Sequence, residues 1–210
     1  RRTITSLIRE WQADVVICHR PNDYHPDHRN VGLLVQDAAF MVTVPFFCPD
    51  VPALANNPVF LYYEDRFQKP NPFSPDVVVE VGETLGKKTA CTRARKTRAD
   101  AGGGGGGGTA VPAGAGTEAL ESQFYEGGCC GGVTELPDTA DERRERAQVV
   151  RDAFRQRFGG TADRFREALV ARYGEAGRSI GAAEAFEICE YGRQQDEAEI
   201  RRLFPFFPTE

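Results

Sequence analysis

All three histidines of this 210-residue chain fall within ten residues, at His19, His25 and His28. They belong to the run Cys18-His19-Arg20-Pro21-Asn22-Asp23-Tyr24-His25-Pro26-Asp27-His28, directly after the apolar stretch Asp14-Val15-Val16-Ile17. Neutral imidazole is a common zinc ligand, and a carboxylate on its second nitrogen fixes the tautomer and the ring orientation. Imidazole is also the side chain most often used to move a proton near neutral pH. Histidines at this spacing therefore admit metal binding, acid–base chemistry, or the plainer work of capping a helix and lining a surface. The sequence His25-Pro26-Asp27-His28 beyond a buried strand favours the first two.

The flanking elements decide whether these side chains can meet. An apolar run with almost no alternation reads as a buried parallel strand, and in open α/β sheets chemistry gathers beyond the carboxyl ends of such strands. Pro26 has its backbone preset for the first turn of a helix, and Asp27 suits the positive end of the helix dipole. The predicted helix runs through Val31, Leu34, Val35, Ala38 and Phe40-Met41. It places His25 at the cap and His28 in the first turn, facing one cleft, with Asp27 close enough to bond an imidazole. Upstream, Arg1 to Trp11 reads as an amphipathic helix leading into the strand at Asp14. Downstream, strands at Val59–Tyr63 and Asp76–Val81, separated from the first by a helix, imply a parallel sheet with crossovers. Past Pro137 a long charged helix opens at Asp141 and is expected to end at Gly159-Gly160. Further helices are expected at Arg164–Tyr173 and Asp196–Leu203, followed by a docking aromatic tail at Phe204–Pro208.

Composition bounds the function. The chain is 40% hydrophobic and 27% charged, enough for one sizeable core. Its net charge of -5 argues against a nucleic-acid partner. The basic run Arg93 to Arg98 lies beside seven glycines, Gly102 to Gly108. Polyglycine has nothing to bury and maximal backbone entropy to lose, so residues 89–117 read as a disordered insertion. The organisation expected is a core at 1–88, that insertion, and the remainder of the same domain at 118–210. No apolar run approaches membrane-spanning length and no signal peptide is visible, so a cytoplasmic location is expected. The six cysteines lack the Cys-x-x-Cys pairing of a structural zinc site.

The segment from Asp14 to Arg29 resembles the second signature of the PIG-L/LmbE family of zinc-dependent N-deacetylases. Val35-Gln36-Asp37-Ala38-Ala39, Arg66-Phe67-Gln68-Lys69-Pro70, Glu121-Ser122-Gln123-Phe124-Tyr125-Glu126, Ala183-Glu184-Ala185-Phe186-Glu187 and Glu190-Tyr191-Gly192-Arg193 are similar to further stretches of bacterial members. The resemblance implies a Rossmann-type α/β fold, a parallel sheet flanked by helices, and a Zn2+ cofactor. It implies His28 as a metal ligand, and His25 and Asp27 as catalytic residues, with His25 stabilising an oxyanion or assisting the leaving amine. It also implies a small amide or amino-sugar substrate of the N-acetylglucosamine type, with no nucleic acid and no membrane as partner. Members of the family open with a strand and a His-Pro-Asp-Asp box, which supplies two more ligands and a water-activating aspartate. This sequence holds no such box. The resemblance then implies a larger fold whose first strand is missing here, and a chain that by itself holds zinc poorly and is inactive. Two other classes stay open: a non-catalytic remnant or binding module of the same fold, and another metal-dependent hydrolase. A phosphoesterase of that second class calls for more clustered aspartates and histidines.

Overall fold

The computed structural model describes residues 1–88 and 140–208. The insertion expected at 89–117, and the resumption at 118, lie outside the described residues. The chain divides into two compact units, one of Arg1–Glu80, Arg164–Ile180 and Glu184–Glu210, the other of Val81–Asp163 with Gly181–Ala183.

The first unit opens with helix α1 (Arg2–Glu10), which buries Thr5, Ile8 and Arg9. Ile8 joins Val35, Ala38, Ala39 and Val42 of the following helical segment, with Cys18 and Phe60, in one apolar cluster. Gln12 leaves α1 in the left-handed region at φ 47°. The Gln12 and Ala13 amides then donate to the carbonyls of Arg9 and Ile8, closing the helix end. Strand β1 (Val15–Cys18) follows, then helix α2 (Pro26–Met41), strand β2 (Val59–Tyr63) and strand β3 (Val77–Glu80). These strands lie close to where the sequence places them.

β1 pairs parallel with β2, Val15 opposite Val59 and Cys18 opposite Tyr62. The sheet is mixed rather than wholly parallel, however. A fourth strand, β4 (Ala183–Gly192), stands between β2 and β3, giving the order β1-β2-β4-β3. It runs antiparallel to β2, with Tyr63 opposite Phe186 and Leu61 opposite Ile188. Its alanines and glutamates are weak strand formers, so it takes this state from packing Ala185, Phe186 and Cys189 into the core. The position of β1 also differs from expectation. Among the described residues it is an edge strand, and Ile17 is 38% exposed where full burial is expected from its apolar run.

Two further helices close the unit. Numbered after the long helix of the second unit, they are α4 (Arg166–Tyr173) and α5 (Glu197–Leu203). The Tyr173 hydroxyl accepts the Glu80 amide at 3.0 Å, fastening α4 to the end of β3. Asp196 caps α5 by accepting from the Glu199 amide. In the tail, Phe207 is buried with its ring 5.7 Å from that of Tyr173, while Phe206 stays exposed.

The second unit contains all but the last residue of α3 (Ala140–Arg164). The stop expected at Gly159-Gly160 does not occur. Each glycine costs a helix about 1 kcal/mol relative to alanine, but the buried Phe158, Thr161 and Ala162 on either side hold the helical path. Among the described residues no helix is long and apolar enough to cross a membrane.

Candidate metal and catalytic centre

His19 leaves β1 at its carboxyl end, and the next residues turn sharply. The Asp23 amide donates to the Arg20 carbonyl at 3.2 Å, and Asp23 Oδ1 accepts the His25 amide at 2.8 Å. That second bond is an Asx-type turn, which lets a short side chain steer the backbone into a helix. His25 is then the N-cap of α2, its Nδ1 accepting the Asp27 amide at 3.2 Å, with Pro26 in the first turn. Accepting at Nδ1 leaves the proton of a neutral His25 on Nε2, where it is a donor. The Arg29 guanidinium reaches back to the carbonyls of Asp23 and Tyr24 and holds the turn.

This path gathers the three imidazoles. His28 Nδ1 lies 3.2 Å from Asp23 Oδ2, and His19 Nδ1 lies 3.8 Å from the same oxygen. The rings of His19 and His28 stack at 3.9 Å with 2° between their planes. The His25 ring is 4.7 Å from that of His28. Asp23 is 8% exposed, so it is a largely desolvated carboxylate beneath two imidazoles.

The expected bond from the Asp27 carboxylate to an imidazole is replaced by a different one. Asp27, in the first turn of α2, is exposed and offers His25 its backbone amide, whereas Asp23, folded inside the turn, supplies the carboxylate. His19 and Asp23 are the members of the cluster to which sequence reasoning gave no role. Asp23 stands two residues before a helix-capping residue, the spacing of an Asx turn, and that was the available signal.

Close approach of α2 to β1 depends on Gly32. A Cβ there would lie 2.6 Å from the His19 carbonyl oxygen, which is backbone and cannot swing aside. Gly32→Ala is expected to cost about 1–3 kcal/mol through overpacking and to displace His19 from the stack. Denaturant unfolding together with the His19 and His28 proton spectrum checks both; a variant with native stability and native ring shifts contradicts this packing.

The donor types fit a divalent metal. Two imidazoles and a carboxylate form a set that suits zinc and related ions, and three protein donors leave an open position. One ligand atom from each of His19, Asp23 and His28 lies within 4.8 Å of the others. Two donors on one zinc lie at most ~4.2 Å apart, twice the bond length, so the group must draw in slightly. The stack must also open. An ion lies near the plane of each imidazole that binds it, and the parallel planes of His19 and His28 do not meet.

Burial pushes the thiol of the neighbouring Cys18 up to about 12, with Cys189 adding to the shift. Burial likewise raises Cys189, whose Sγ lies 2.9 Å from the Tyr62 hydroxyl. A cavity of about 640 Å³ lies elsewhere, beyond the amino-terminal ends of β1 and β2, lined by Arg9, Asp14, Asn57, Arg193 and Arg202 among others. It contains none of the imidazoles.

The fold and this cluster define a mixed α/β protein, its described residues forming a four-stranded sheet with helices, whose potential chemistry sits at the carboxyl end of a parallel strand. No protein-family model matches the chain. Among solved structures it is similar to the 4-carboxy-2-hydroxymuconate hydratase GalB from Pseudomonas putida KT2440, with a TM-score of 0.50 and 15% identity over 93% of this chain. It is also similar to the N,N'-diacetylchitobiose deacetylase from Pyrococcus horikoshii, with a TM-score of 0.43 and 16% identity over 90% of this chain. The chain spans 60% of the length of the hydratase and 52% of that of the deacetylase. At this identity the likeness to the hydratase is one of fold, and the fold is one on which an enzyme is built.

Proposed function

We propose that the chain carries the metal and acid–base part of a water-activating enzyme, of the zinc-dependent N-deacetylase type. The observation that carries the reading is the convergence of His19, Asp23 and His28, with His25 beside them, at the end of β1. His19, Asp23 and His28 are the residues that would hold Zn2+ or a similar divalent ion. An ion held there supplies Lewis acidity, which polarises a carbonyl and makes water a nucleophile at neutral pH.

The protein's own groups do the rest. Without an ion, Asp23 Oδ2 lies 3.2 Å from His28 Nδ1 and 3.8 Å from His19 Nδ1 and holds the rings together, and an ion bound by all three residues would take the place of that His28–Asp23 contact. The Nε2–H of His25, with its tautomer set by the Asp27 amide, is a donor for the oxyanion of amide hydrolysis or for the leaving nitrogen. In this reading Asp27 acts through its amide. The substrate is a small amide, with an N-acetylated amino sugar as the example the sequence resemblance supplies, and the setting is cytoplasmic.

The test is acetate release from an N-acetylated amino sugar by the Zn2+-loaded protein and two variants. His28→Ala is expected to lose metal and activity together, whereas His25→Ala keeps the metal and loses about 100-fold or more in turnover. Full turnover in His25→Ala removes that residue from the mechanism. Metal binding with no acetate from any amide favours the binding-module reading. The fold shared with a hydratase gives a second catalytic reading, addition of water to a conjugated acid, detected as loss of ultraviolet absorbance with no acetate formed.

A further inference from the structure

Arg20 follows His19, yet its side chain turns inward and is 6% exposed. One terminal nitrogen donates to both oxygens of Asp65, at 3.1 and 3.4 Å, and the other to the Asn71 carbonyl at 2.7 Å. Its Nε lies 3.9 Å from Glu187 Oε1 on β4. These partners are fixed in turn. Asp65 Oδ1 accepts the Phe67 amide at 3.0 Å, and Glu187 Oε2 accepts the Ser74 amide at 2.8 Å. Beside them Asn22 donates to the Lys69 carbonyl at 2.8 Å, and the ring of Tyr24 lies 6.0 Å from that of Phe67. One buried guanidinium thus gathers the end of β1, the loop after β2, and β4.

The backbone of the same residue bears on the site. The Arg20 carbonyl accepts the Asp23 amide at 3.2 Å, which closes the turn that brings Asp23 beneath His28 and His19. We propose that Arg20 is a positioning residue for the His19–Asp23–His28 cluster: its guanidinium anchors the loop after β2, and that anchor fixes the turn from which Asp23 reaches both imidazoles. With its nitrogens committed to protein groups and its surface covered, Arg20 acts through Asp23 and not on a substrate. A fork of planar donors is what the arrangement uses, and a lysine ammonium offers only a point charge.

The experiment compares the wild-type chain with Arg20→Gln, Arg20→Lys and Asp65→Asn by two readouts. One is Zn2+ affinity by titration calorimetry, an arm that rests on the metal reading above. The other is the ring-proton resonances of His19 and His28 in metal-free protein, which report the stack directly. Far-UV circular dichroism confirms the fold of each variant. Arg20→Gln and Asp65→Asn are expected to weaken Zn2+ binding about 10–100-fold and to move both sets of ring resonances toward those of unstacked imidazole. Arg20→Lys is expected to fall between these and the wild type. Folded variants that keep native ring resonances overturn the proposal, even if their stability falls, because a merely structural arginine predicts that result. If Arg20→Gln fails to fold, Asp65→Asn, which removes a charge at constant volume, carries the same decision. A wild-type chain that binds no Zn2+ removes the metal reading alone, and the ring resonances still decide the role of Arg20.

Discussion

Replacing Arg9 by alanine lowers the unfolding free energy by roughly 3 kcal/mol or more, an expectation built from hydrogen bonds to a charged donor worth about 1.5–3 kcal/mol each before water replaces any of them. Arg9 is 2% exposed and donates to five carbonyls. Met41, Val42 and Val44 lie at the end of α2, and Cys48 and Val51 lie in the loop beyond it. The last carbonyls of a helix have no partner within it and carry its negative end, so a guanidinium there is favoured twice. The same side chain clasps α1 to α2 and thereby braces the back of the helix whose cap is His25 and whose first turn carries His28. Arg9→Lys keeps the charge but has three donors and no planar fork, so it recovers only part of the loss. Denaturant unfolding of the three proteins measures this; a change under about 1 kcal/mol in Arg9→Ala means that water replaces the guanidinium without penalty, and the clasp is then not what holds α1.

Arg9 also shows where sequence reasoning stops. Its helix is evident from the spacing of Ile4, Ile8 and Trp11, but an arginine in an amphipathic helix ordinarily faces water. Only the loop Val44 to Val51, folding back over the helix end, makes it a core residue. The strands Val59–Tyr63 and Val77–Glu80 were legible because unbroken apolar runs between prolines and polar turns leave few alternatives. β4 was not, because its Ala-Glu-Ala-Phe-Glu pattern is compatible with a helix and its strand state comes from the gap between β2 and β3. The helix through Gly159-Gly160 was misread for a related reason: the local glycine penalty is small beside the burial of the residues around it. At the site, the cap, the proline in the first turn and the adjacency of His25 and His28 follow from local rules, and they stand in the structure as read. The orienting carboxylate could not be assigned locally. Asp23 and Asp27 are each within reach in sequence, and what separates them is which one the turn buries.

The second large effect concerns metal. The sequence resemblance assigns one ligand, His28, and from one ligand poor retention of zinc is expected. With His19 and Asp23 beside it, the number of donors the chain can offer rises to three, the usual protein share of an open site. Loss of any one of them then leaves two, too few to hold an ion against water. His28→Ala and Asp23→Ala are each expected to reduce affinity by at least 100-fold, a loss of about 2.7 kcal/mol of binding free energy. His25→Ala is expected to leave it within a few-fold, since its Nδ1 is occupied by the Asp27 amide.

Titration calorimetry of the metal-free chain with Zn2+, run with His28→Ala, Asp23→Ala and His25→Ala, reads this most directly. One ion per chain is expected for the wild type and for His25→Ala, little binding for the other two, and a wild-type proton spectrum in which the His19 and His28 rings leave their stack as the ion enters. Wild-type protein that takes up no zinc, or zinc bound equally well without His28 and Asp23, contradicts that expectation.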